Sequence, residues 1–130
     1  MDIASMAAWI ACVELIGLAC FQLLLVCGAP LGHLAWGGGH TRLPAGLRVA
    51  SLGSVVICLM GAVCVLERAG VVIFFDRPGV VRGIVWALTV LFGLSIVGNL
   101  ASKSAWEKRV MTPVAATLTL ACLIVSIAGG

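Results

Sequence analysis

Four apolar stretches, each about as long as a bilayer is thick, constrain this chain more than any motif in it. They run from Ala7 to Cys27, Val49 to Leu66, Gly83 to Ala101 and Val110 to Ile127. Hydrocarbon offers backbone N–H and C=O groups no hydrogen-bond partner, so a crossing segment satisfies its own groups as a helix of roughly 17 to 25 residues. The composition agrees, with 62% of the 130 residues hydrophobic and 10% charged, far from the mixture of a soluble domain. The expected fold is an all-α membrane protein: one domain built as a four transmembrane helix bundle, with residues 28–48 as a Gly-rich connecting loop. The piece "AGVVIFF" after Glu67 and Arg68 is expected either to lengthen the second span or to lie along the interface.

The first stretch reads as a retained span. A secretory signal starts with positive charge, whereas this chain opens with Asp2 and has no basic residue before Arg42. Val26 also stands before Cys27 where a lipidated cysteine needs a small neighbour. Orientation follows lysine and arginine, which favour cytoplasmic loops. Arg42, Arg48, Lys103, Lys108 and Arg109 occupy the first and third connections, against Arg68, Arg77 and Arg82 in the second, which places both termini outside. The formal charge of +3 suits a membrane surface. No connection holds the dense basic and aromatic cluster that a nucleic-acid groove requires, so nucleic acid is not an expected partner.

Six cysteines, Cys12, Cys20, Cys27, Cys58, Cys64 and Cys122, lie within spans or at a span end, and no CxxC pair exists. In such positions cysteine behaves as a small hydrophobe. A thiol-exchange enzyme would need two close thiols and a shuttle loop, and no nucleophile and base pair is visible elsewhere. A non-enzymatic protein without a cofactor is expected.

Glu14, about halfway along the first span, is the residue that packing explains least. A carboxyl group there costs on the order of 2.5 to 3.5 kcal/mol on insertion scales, so it should face protein or water. It can carry a proton and release it when water or a cation arrives, which is the chemistry of a coupled transporter. Gln22 stands about 80° round the helix from Glu14, and the two form the candidate proton or substrate site. Spacings of three and four place Ser51, Ser54, Cys58 and Gly61 on one face of the second span. The same spacing aligns Thr112, Ala116, Thr119, Cys122 and Ser126 on the fourth, and Ser95, Gly98, Asn99 and Ser102 near the end of the third. Small residues let helix backbones approach in lipid. Ser54, Cys58, Gly61, Ala116 and Thr119 are therefore expected at packing interfaces, with Glu14 turned inward.

The first connection, "GAPLGHLAWGGGHTRLPAGLR", opens with a glycine helix stop and Pro30. His33 and His40, with Cys27, are weak metal candidates, because their spacing fits no metal signature and flexible glycines hold ligands poorly. No metal is expected. A phosphate loop needs Lys and then Ser or Thr after its last glycine, whereas Gly39 is followed by His40, Thr41 and Arg42. The loop is expected to be a hinge lying at the interface, anchored by Leu34 and Trp36, with a docking surface as its functional alternative. In the second connection Glu67, Arg68, Asp76, Arg77 and Arg82 read as headgroup-level charges, with "DRPG" as a turn. In the third, Lys103, Lys108 and Arg109 suit anionic lipid heads, and Pro113 is expected in the first turn of the fourth helix.

The stretches "FQLLLVCGAPLGHLAWGG", "LPAGLRVAS", "VLERAG" and "NLASKSAWEKRVMTPVA" together resemble a group of small bacterial four-span membrane proteins with no assigned activity. That resemblance implies the four-span layout and the bacterial inner membrane. "VELIG" around Glu14, with "HTRLP", is also similar to the small multidrug resistance transporters, four-span proteins with a membrane-embedded glutamate in the first span. It implies that Glu14 exchanges protons for substrate within an oligomer. This chain departs from that family in having no tyrosine, a residue the family uses with tryptophan to bind substrate, and in its longer first connection. Two functions are thus expected to compete. The first is a packing, accessory or assembly component acting as a helix-mediated homo- or hetero-oligomer in the lipid bilayer. The alternative is a small proton- or ion-coupled transporter.

Overall fold

The computed structural model describes residues 1–130 and holds four long helices and no strand. They are α1 (Ile3–Val26), α2 (Ala45–Arg68), α3 (Pro78–Leu100) and α4 (Ala105–Ala128), each long and apolar enough to cross a membrane. Every helix starts about one turn before the apolar stretch that announced it. The reason lies in the starts themselves. Asp2 caps α1 by accepting a 2.8 Å hydrogen bond from the Ser5 N–H, which also holds its carboxyl below the ordinary value. Pro44 and Pro78 set the first turns of α2 and α3, and the Ser104 hydroxyl caps α4. At 1.5 Å per residue a 24-residue helix is about 36 Å long, against roughly 30 Å of hydrocarbon. The added turns carry Arg48, Arg82, Glu107, Lys108 and Arg109.

Pro113 is accordingly not in the first turn of the fourth helix, as expected, but inside α4. The "AGVVIFF" piece does not lengthen α2, which stops at Arg68. The chain turns back over residues 69–77 instead, and both Glu67 carboxylate oxygens accept backbone bonds there, from Phe75 at 3.0 Å and Asp76 at 2.8 Å. Arg68 donates to the Ser126 and Gly130 carbonyls and so holds the end of α4 beside the end of α2. A cation at a helix C-terminus meets the unpaired carbonyls and the negative end of the dipole.

The helices run up and down around a ring, α1 beside α2 and α4, and α3 beside α2 and α4. The core is concentrated toward the termini and the second connection. There Ala8, Ala11 and Leu15 of α1, Cys64 and Val65 of α2, Val81 and Val85 of α3, and Leu118, Cys122 and Val125 of α4 are shut off from solvent. The small-residue stripe of α2 holds, since Ser51, Cys58 and Gly61 are buried and Ser54 half-buried. On α4 the buried face is Ala115, Leu118, Ala121, Cys122 and Val125. At about 100° per residue, Ala116 falls on the opposite side of the helix from Leu118 and Val125, and it is exposed. Thr119 is half-buried at the α3 side, its methyl 3.8 Å from where a Cβ would stand on Gly93. One polar bridge crosses this half, between the Thr89 and Ser126 hydroxyls at 3.2 Å.

Gly61 marks a close approach of α2 to α3, because a Cβ there would stand 3.0 Å from Leu88 Cδ1. Gly61→Val should cost about 1–3 kcal/mol by overpacking. Gly53 faces open space, and Gly53→Ala should leave stability unchanged or raise it. Unfolding titrations in mixed detergent micelles measure both.

Candidate functional site

The half of the bundle toward the first and third connections is built differently. Here the four helices surround a cavity of about 380 Å³. Leu18, Phe21 and Gln22 of α1, Ser54, Ile57 and Cys58 of α2, and Leu91, Phe92, Ser95 and Asn99 of α3 supply three walls. Glu107, Met111, Val114 and Ala115 of α4 supply the fourth, and Leu34, Ala35 and Trp36 of the first connection lie across the end.

That connection is folded, not slack. Gly28, at φ +88°, terminates α1 in a conformation other residues rarely adopt, and the Ala29 N–H returns to the Leu24 carbonyl at 3.0 Å. Two short 3-10 turns follow, Gly32–Leu34 and Trp36–Gly38. Leu25, Ala35 and Leu43 form a small core of their own, flanked by Phe21, Leu31 and Leu47. The Gly32 N–H donates to the Thr41 carbonyl at 2.9 Å, Arg48 Nε to the Leu43 carbonyl at 2.8 Å, and Trp36 Nε1 to Ser51 Oγ on α2 at 3.0 Å. The Trp36 bond ties this connection to α2, and the connection lies as a cap over the end of the bundle.

The cap is clasped to the third connection. Ser104 Oγ donates to the His33 carbonyl, and Gly38 lies so close to the Ser104 side chain that no Cβ would fit. The Trp106 ring meets the His33 imidazole edge-on, centroids 6.5 Å apart. His33 is thus held by backbone and ring contacts, while His40 is exposed. The two histidines and Cys27 are not gathered into any group of three or more metal-ligating side chains.

Glu107, absent from the residues singled out in the sequence, is the most buried acid, with 7% of its surface exposed. Its Oε2 accepts a 2.7 Å bond from Ser102 Oγ, which itself accepts from the Ser104 N–H at 3.1 Å. Ser104 Oγ accepts in turn from the Glu107 N–H at 3.3 Å. This is a capping box with the Ser102 hydroxyl inserted between its acid and its backbone donor. The "SAWE" run, Ser104 to Glu107, carries that signature and would have located both the helix start and the buried acid.

Glu14 and Gln22 lie apart. Gln22 is on the cavity wall, its Oε1 buried and without a hydrogen-bond partner. Glu14 does not reach the cavity. It is half-buried beside the Thr117 hydroxyl of α4, with Oε2 buried and unpartnered. The carboxyl stands on the seam between α1 and α4, with Oε2 turned into the protein. Thr117 is exposed there, and so is Gly17, one turn along α1, with open space in front of it.

No family model, curated protein or solved structure matches this chain.

Ser104 ties three features together: the α4 cap, the clasp to His33 and the fit of Gly38. Ser104→Ala should lower stability by about 1 kcal/mol. Its sharper signature is local, a faster amide hydrogen exchange across residues 28–44 with little change in the packed half. Uniform exchange along the chain would contradict the clasp.

Proposed function

We propose that this chain is a non-enzymatic, multi-pass component of the bacterial inner membrane that works by assembling with other membrane-spanning helices. The observation that carries the proposal is Glu14. A carboxyl group in hydrocarbon costs on the order of 2.5 to 3.5 kcal/mol, yet this one lies on an outer seam with one buried oxygen unpartnered. Gly17 beside it leaves room for another helix to come close. A further chain seated on the α1–α4 seam would cover the part of Glu14 that the fold leaves exposed and remove it from lipid. Two polar bonds join helices elsewhere in the bundle, Thr89 with Ser126 and Asn99 with the Met111 carbonyl. Bacterial origin rests on the sequence resemblance.

A proton- or ion-coupled transporter is the second reading, favoured by one observation: α1 carries both the seam carboxyl and, about two turns on, the unpartnered Gln22 on a cavity wall.

Native mass measurement after gentle solubilisation tests the first reading. The particle should exceed the 13.4 kDa of a single chain, and Gly17→Leu, which meets nothing within the fold, should release single chains. A wild-type particle of one chain overturns assembly. Glu14→Gln separates the readings, since a neutral amide still bonds a neighbouring helix and should keep the particle intact, whereas coupled transport would vanish.

A further inference from the structure

The cavity wall has a chemical bias. Four of its polar groups spend a hydrogen on the protein. Ser54 Oγ donates to the Ala50 carbonyl at 3.2 Å, and Ser95 Oγ to the Leu91 carbonyl at 2.9 Å. Asn99 Nδ2 donates to the Met111 carbonyl at 3.1 Å, and Trp36 Nε1 to Ser51 at 3.0 Å. What remains open to a ligand is oxygen lone pairs on the two serine hydroxyls and the Glu107 carboxyl, which receives a single side-chain hydrogen bond, from Ser102; the Gln22 Oε1 is itself closed off by the protein. No lysine, arginine or histidine lines the space. The remaining wall is apolar, from Leu18 and Phe21 across to Phe92 and Val114.

A ligand matched to this wall must bring N–H donors and positive charge at one end and hydrocarbon at the other. A volume of about 380 Å³ lies within the roughly 300–1,000 Å³ of small-molecule sites. Ile57 and Leu91 line the cavity and are also exposed, so it opens sideways between α2 and α3, the side facing lipid, while the cap covers its end. An apolar tail can thus enter from the membrane.

We propose that the capped cavity binds a primary ammonium joined to an apolar tail, with the Glu107 carboxyl as its counter-charge and Ser54 and Ser95 as acceptors of its N–H bonds. This goes beyond assembly, since it uses none of the seam residues. A quaternary ammonium has no N–H to offer these oxygens, and a carboxylate would meet Glu107 with like charge. Two sources supply the chemistry, a free long-chain amine or the headgroup of an aminophospholipid.

Radiolabelled octylamine, incubated with the chain in phosphatidylcholine nanodiscs and corrected with empty discs, tests the assignment. Saturable binding near one molecule per chain is expected, at least tenfold tighter than octyltrimethylammonium or octanoate. Glu107→Gln keeps an oxygen for Ser102 but removes the charge, and should weaken octylamine at least tenfold. Ser95→Ala, remote from the α4 cap, should weaken it severalfold and serves if the first variant fails to fold. Non-saturable uptake, equal binding of the three probes, or unchanged affinity in folded variants overturns the proposal. Given binding, discs containing phosphatidylethanolamine divide the sources: competition with octylamine identifies the lipid headgroup, and undiminished binding a free amine.

Discussion

Hydrocarbon leaves a peptide group no partner but another peptide group, and the organisation of this chain follows from that demand. Of 93 backbone hydrogen bonds, 75 lie within the helices, so the membrane segments close their own accounts and the bundle must be held by side chains and loop contacts. Helix ends are where the demand is unmet, because the first N–H and last C=O groups have no partner in the helix. Asp2, Ser104, Glu67 and Arg68 each serve one of these ends or the turn beside it. Asp2, Arg48, Glu67, Arg68 and Glu107 are therefore structural residues at the two rims.

The two ends of the bundle solve the packing problem in opposite ways. Toward the termini, alanine, cysteine and valine let the helices meet directly, and Gly61 admits Leu88 where a larger residue would hold α2 and α3 apart. Toward the first and third connections, serine, asparagine and glutamine appear on the inner faces and the helices enclose a space in place of a core. A hollow end exposed to water or headgroups would be unstable in shape. The folded first connection closes it, and the Ser104 clasp makes that closure depend on the start of α4. Cap, clasp and cavity form one unit.

Much of this fold was legible in sequence. Four apolar runs gave four helices, because length and hydropathy alone decide what can cross hydrocarbon. Hydropathy also misplaced the helix starts, as it discounts the charged turn that a capped helix carries into the headgroups; Pro113 was shifted from interior to first turn for the same reason. Ala116 was misassigned because a stripe drawn through Thr112 and Thr119 sees one neighbour, whereas α4 touches both α1 and α3. Glu14 stood out correctly as an ionisable group in a span, but which side of α1 faces a seam and which faces a cavity is fixed by the placement of α4. The pairing of the first and third connections, between His33 and Ser104, joins residues far apart in sequence and left no local trace.

One half of this bundle is packed and the other hollow, and the native cysteines report on both. Cys58, 5% exposed at the inner edge of the core, lines the cavity, whereas Cys64 and Cys122 are fully buried in the packed half, all three as free thiols. Treatment in lipid with a small membrane-permeant thiol reagent, read by peptide mass against a denatured control, ranks their access. A hollow half predicts modification of Cys58 well before Cys64 or Cys122. Equal protection of all three would contradict it and leave a uniformly packed bundle.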